Sequence, residues 1–206
     1  MMLPNEPIIK LALGSDWDRL DPVLRRHYDL TPGQDQQVVM SGTMHDIDHS
    51  WIAMAYLLAG RVFGALVPYR GKDIPTTVRN WTTRNDGRNM FWHRTFTFPD
   101  GRNAIFTSRM AYLGGQEFIE YVRFGLGIRM MVSVVNGSLV YKSTGYQWDI
   151  GRMSLRFPTW VLLGSGSITE SARSNTEFFM DFQMKHPWFG RTFSYCGRFA
   201  LDGDAD

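Results

Sequence analysis

From Pro75 onward the sequence settles into a period of two, and this alternation constrains the fold more than any other feature. Glycine-bearing reversals cut it into runs of strand length. They fall at Asn85-Asp86-Gly87, Pro99-Asp100-Gly101, Gly114-Gly115 and Asn136-Gly137. Runs of this kind joined by such turns form antiparallel hairpins. Further strands are expected over about 151–157, 175–185 and 190–201, and an earlier one over about 35–45. The total, about ten, is the number expected of a small barrel or a curved half-barrel. The predicted fold class is therefore mainly β, an antiparallel meander with two helices near the N-terminus.

The first helical region is predicted over 15–29, with Ser15 able to cap a first turn and Pro22 able to restart the helix. Trp17, Leu20, Leu24, His27 and Tyr28 fall near one of its faces. The second is predicted over about 50–64, with Ser50 as cap and Arg61 as its only charge. A helix apolar nearly all round is buried on most sides or covers something apolar. Both helices are expected near one opening of the barrel, the second as a lid. One strand, then a helix, then the remaining strands is also the order of fatty-acid-binding barrels, an architectural analogy only.

Side chains two apart on a strand share a face, so the apolar set marks the interior. It comprises Met90, Trp92, Arg94, Phe96 and Phe98; then Ala104, Phe106, Ser108, Met110 and Tyr112; then Phe118, Glu120, Val122 and Phe124. Near the end it comprises Phe178, Met180, Phe182 and Met184, then Phe193, Tyr195, Gly197, Phe199 and Leu201. Three successive strands thus each bring one polar residue inward: Arg94, Ser108 and Glu120. A buried arginine requires a partner, and Glu120 is the candidate. The group reads either as an ion pair that fixes register or as the polar anchor of a ligand site. The expected catalytic residues are Glu120, Arg94 and Tyr195. The expected ligand contacts are Trp92, Phe96, Phe106, Ser108, Met110, Phe118, Phe178, Phe182 and Phe193.

Composition narrows the partners. The net charge is +2 and the basic residues are scattered, which argues against nucleic acid. The one cysteine, Cys196, allows no internal disulfide and lies on the outward face of its strand. The apolar stretch Trp51–Gly60 is too short to span a bilayer. Met1–Ala12 lacks the pattern of a signal peptide, so a cytoplasmic location is expected. His45-Asp46-Ile47-Asp48-His49 is a weak metal candidate through His45 and His49, against a plain reading as a strand-to-helix junction. No dinucleotide fingerprint, phosphate loop or nucleophile elbow appears, and no cofactor is expected.

The order of several short motifs resembles a bacterial family catalogued as domain of unknown function 4166. They are Trp92-x-Arg94-x-Phe96; Phe106-x-Ser108; Glu120; Pro158 with Glu170; and Phe178, Phe182, Pro187, Gly190, Tyr195 and Gly197. The resemblance runs from about Trp17 to Leu201. Members of that family occur alone or joined to an NAD-binding, saccharopine-dehydrogenase-like domain. The resemblance implies no activity, and it transfers no NAD chemistry to this sequence. The expectation is one domain over 1–206, with flexible ends at 1–14 and 202–206. It binds a small hydrophobic molecule and converts it by acid/base isomerisation, cyclisation or dehydration. The alternative is a non-catalytic lipid carrier, or an interaction domain for a partner enzyme.

Overall fold

The computed structural model describes residues 6–64 and 67–202. Its eleven strands are β1 (Gln36–His49), β2 (Gly71–Thr83), β3 (Asp86–Thr97), β4 (Asn103–Gly114), β5 (Glu117–Tyr121), β6 (Leu126–Val135), β7 (Ser138–Ile150), β8 (Met153–Phe157), β9 (Ser165–Ala172), β10 (Glu177–His186) and β11 (Gly190–Leu201). All pairings are antiparallel. β1 to β7 form a meander; β7 then pairs with β9, β9 with β10, β10 with β11, and β11 with β1. Ten strands therefore close a barrel, and β8 is an eleventh, outside the ring. Closure removes the open edges that a meander would otherwise present.

The alternation read from the sequence holds along β3 and β4 and along β10 and β11, whose inward set is buried or half-buried. It fails at the end of β5. There Val122 leaves the ladder and Phe124 takes a positive φ of 57° in a short 3-10 turn, which turns its ring out to 66% exposure. Phe124 is thus a surface residue, contrary to the expectation from period two. β9 also escapes the pattern, because Gly164-Ser165-Gly166-Ser167 reads as a loop. It is held by its partners: Gly166 N donates to Ser143 Oγ at 2.7 Å, and Ile168, Glu170 and Ala172 then alternate.

β7 divides its outer edge. Residues 139–142 pair with β9, whereas 146–150 pair with β8. Beyond residue 142 the wall between β7 and β9 is completed by the segment 158–164 instead of a strand. Gly164, φ 96°, presses this segment onto β10: a Cβ there would lie 2.2 Å from the carbonyl oxygen of Lys185.

The helices are α1 (Ile8–Leu13), α2 (Pro22–Tyr28) and α3 (Trp51–Phe63), with a 3-10 turn at Gly14–Arg19. They do not gather at one opening. α2 lies at the end of the hairpin Val135–Ser138 and the β9–β10 turn, where Asp21 N donates to Gly137 O and Arg26 donates to Asn175 O. β1, fourteen residues long, then carries the chain to the other end, where α3 begins. Ser50 Oγ accepts from Ala53 N at 3.2 Å, as the cap reading expects. Residues 8–13, expected in a flexible end, form α1 with Ile8 and Ile9 fully buried. Residues 1–5 and 203–206 of the expected ends lie outside the described residues. Among the described residues no helix is long and apolar enough to cross a membrane.

Candidate functional site

A cavity of about 230 Å³ occupies the barrel interior between α2 and α3. Its walls are aromatic and methionine side chains, among them Trp92, Phe106, Met110, Met130 and Phe182. α3 contributes Tyr56, Leu57, Gly60 and Phe63, and the segment 158–164 contributes Leu162 and Leu163. The polar groups on this wall form two clusters.

The first is the expected one. Arg94 on β3, Ser108 on β4 and Glu120 on β5 face inward with 8%, 4% and 9% exposure. They step diagonally across the sheet: Ser108 stands opposite Trp92, and Glu120 opposite Met110. Diagonal neighbours on one face sit within reach of long side chains. Arg94 Nη1 donates to Ser108 Oγ at 3.1 Å, and Nη1 and Nη2 donate to Glu120 Oε1 at 3.2 Å. Ser108 Oγ donates to the same oxygen at 2.5 Å. The guanidinium is also flanked by the Trp92 and Phe106 rings at 4.4 and 4.7 Å. Cation–π contact of this kind partly offsets the loss of water.

The second cluster centres on Glu170, 2% exposed on β9. Tyr28 Oη of α2 donates to both its carboxylate oxygens at 3.0 Å. His27 Nδ1 stands 3.7 Å from Oε2, too far for a hydrogen bond. Asn80 Nδ2 lies 2.8 Å from His27 Nε2, an assignment that makes Nε2 the acceptor and leaves the proton on Nδ1. Burial raises the Glu170 carboxyl from an ordinary 4.5 to about 7, with Tyr28's hydrogen bond and the Arg94 charge acting against it. Burial, aided by Arg94, lowers His27 to about 3, so its ring is neutral. Among the described residues the indole N–H of Trp92 is buried on this wall without a hydrogen-bond partner, and the hydroxyl of Tyr141 is buried there in interaction with that of Tyr28. Burial, and then the charge of Glu170, push the Tyr141 hydroxyl well above its ordinary value.

Of the expected site residues, Arg94, Glu120, Tyr195, Trp92, Phe106, Met110 and Phe182 line the cavity. Burial pushes the Tyr195 hydroxyl up to about 12. Ser108 is buried and bonded to Arg94 and Glu120 without lining the cavity itself. Phe96, Phe118, Phe178 and Phe193 are buried but line no part of the cavity. Facing inward is not the same as lining the cavity, because side chains fill much of a small barrel. Phe178, for example, stacks on His27 and Phe199, and Phe118 meets Tyr141 edge-on.

The weak metal candidates separate. A bulge between Met44 and Asp46 puts His45 on the surface beside Asp73, whereas His49 is 2% exposed. Asp48 faces Arg70 and Arg191 instead of capping α3. Cys196 is half-buried, and burial followed by Asp181 raises its thiol.

Glu170, Tyr28 and Tyr141 were not expected at the site from alternation. The signal for Glu170 was its place in the motif order beside Pro158, and the spacing Ile168–Glu170–Ala172. Tyr28 reaches the site only through the docking of α2.

Fold and site together define a closed antiparallel barrel with an apolar interior that holds two buried carboxylates. The chain belongs to the family described as domain of unknown function DUF4166, whose pattern matches residues 20–199. It is also similar to the uncharacterized protein YndH of Bacillus subtilis (strain 168), with 28% identity over 189 residues, 87% of this chain and 90% of that protein. No solved structure matches the chain.

Proposed function

We propose that the barrel binds a small, mostly hydrophobic molecule with an oxygen-bearing end and converts it by acid–base chemistry. The observation that carries this reading is the pair of carboxylates in unlike surroundings on one apolar cavity wall. Pairs whose environments separate their acidities divide the roles of acid and base. Glu170, held neutral up to about pH 7, is the proton donor. Glu120, ion-paired with Arg94, is the acceptor, and Tyr195 helps position the ligand oxygen. A ligand carbonyl or hydroxyl gains a proton on oxygen from Glu170, and a neighbouring carbon loses one to Glu120. The product is an isomer or, where the protonated oxygen leaves as water, an alkene. Exchange between the two carboxyls and solvent restores the starting state.

The volume, about 230 Å³, exceeds the roughly 150 Å³ of an apolar cavity that takes up benzene. It suits a ring system or short chain better than a long lipid. The Trp92 indole N–H, unpaired among the described residues, supports a ligand with an acceptor oxygen, since buried polar groups are normally paired.

Native mass spectrometry of freshly purified protein tests the binding, followed by incubation of any released molecule with the protein in deuterium oxide. A retained small molecule that gains deuterium on carbon is the expected result. Glu170→Gln and Glu120→Gln should keep binding and lose exchange. If no apolar compound is retained and none from a panel of ketones and alcohols binds, the reading fails. If binding persists and neither variant alters the ligand's fate, the protein is a carrier.

A further inference from the structure

We infer that the α3 end of the barrel docks on an anionic lipid bilayer, so that the cavity takes its ligand from, or delivers it to, the membrane. Exposed apolar side chains concentrate at this end. Among the described residues sixteen large hydrophobic side chains are exposed, and only Ile105, Leu113, Met131 and Val135 lie elsewhere than this end. The others sit on α3, on the 3-10 turn after β5, on the β7–β8 hairpin, on the segment 158–164 and on the β10–β11 turn. Trp51 is 80% exposed, Trp188 71%, Phe124 66% and Val62 63%. Scattered apolar residues need no explanation, but a concentration at one end marks an interaction surface.

This surface surrounds the part of the cavity wall that α3 and the segment 158–164 supply. α3 is apolar on two faces: Leu57 and Phe63 line the cavity, while Trp51, Leu58 and Val62 face out. The opposite end is closed by α1 and α2, with Ile9, Leu24 and Tyr28 at 0–1% exposure.

Charge selects the occupant. Arg123, Arg152, Arg156, Lys185 and Arg191 are exposed at the apolar end. Among the described acids at this end, Asp48 faces Arg70 and Arg191, Asp73 faces His45, Asp100 faces Arg102, Asp149 accepts from Tyr121 and Gln147, and Asp46 stands opposite Lys72 in the β1–β2 ladder, so cations remain in excess. Tryptophan and phenylalanine among arginines is the composition of a surface that sits at the headgroup boundary, where anionic lipids attract the cations. The net excess of cations argues against a second copy of the same end, which would oppose like charges.

The test is sedimentation of the full chain with vesicles of mixed phosphatidylcholine and phosphatidylglycerol, and with pure phosphatidylcholine. The protein should pellet with the anionic vesicles, less with the neutral ones, and less at high salt. Its tryptophan emission should shift to the blue. Trp51→Ser combined with Trp188→Ser should lower partitioning by on the order of tenfold or more. Leu113→Ser with Val135→Ser, at the other end, should leave it unchanged. All four side chains are exposed, from 40% at Leu113 to 80% at Trp51, and unchanged circular dichroism checks folding. Absence of vesicle binding, or equal losses from both pairs, overturns the inference. A dimer in lipid-free solution that the Trp51/Trp188 pair dissolves assigns the surface to self-association and overturns it too. None of these outcomes depends on what the cavity holds, so they leave the proposed chemistry untouched.

Discussion

The Arg94–Glu120 pair and Glu170 answer the cost of burying charge in opposite ways. The first carboxylate keeps its charge company with a guanidinium, a serine and two aromatic rings. Replacing Glu120 with Gln alone strands Arg94 in the interior and should cost about 3–5 kcal/mol by chemical denaturation. Replacing Arg94 with Met as well should recover much of that stability without recovering ligand conversion. Recovery of both would make the pair a register device only. Glu170 is instead held neutral. Its folded pKa lies above the unfolded one, so the native state binds the extra proton between pH 4.5 and about 7. Below pH 4.5 the group costs nothing. Stability then falls as pH rises to 7 and the cost levels off above it, on the order of 3 kcal/mol. Glu170→Gln should therefore be more stable than the parent at pH 8 and little different at pH 4. His27 shifts the other way and destabilises as pH falls below 6.5 toward 3, so the difference between variant and parent is the informative quantity. Equal differences at both pH values would mean that Glu170 is not held neutral.

At the scale of elements, α3 and the segment 158–164 supply most of the wall that is not barrel strand, with Tyr28 of α2 and Val122 adding to it. α3 rests on β11 and on the 3-10 turn after β5, and Phe63 meets Phe124 and Trp148 edge-on at 5.9 Å. An element with so much apolar surface outside the ladder can open without breaking sheet hydrogen bonds. Occupation of the cavity should slow amide exchange over residues 51–63 more than over β3 or β4. Equal slowing throughout would describe a plain core helix instead of a lid.

At the scale of the whole molecule, the barrel exists only once β1 meets β11. That seam pairs Met40 with Leu201 and Met44 with Gly197, residues at opposite ends of the chain. Such non-local closure makes refolding slow, in the millisecond to second range. The seam is also tight: a Cβ on Gly42 would stand 2.1 Å from Arg198 O and 2.6 Å from the Phe199 ring. Gly42→Ala should lower the melting temperature and speed unfolding, with thermal denaturation as the measure. A neutral outcome would show that the seam can slide apart at little cost.

By itself the amino-acid sequence determined the β class, the hairpin meander and the inward register of Arg94, Ser108 and Glu120. It could do so because period two acts locally, and a one-residue slip would expose every apolar side chain at once. It also marked α3 as too apolar for one packing face. Tertiary structure alone decided the rest. Ring closure by β11, the exile of β8 and the recruitment of glycine- and serine-rich β9 depend on which edges meet, which no local pattern encodes. Glu170 became a buried acid only because α2, distant in sequence, brought Tyr28 and His27 against it. Phe124 left the core because one positive φ ended β5. The helices took opposite ends because β1 proved as long as the barrel is tall.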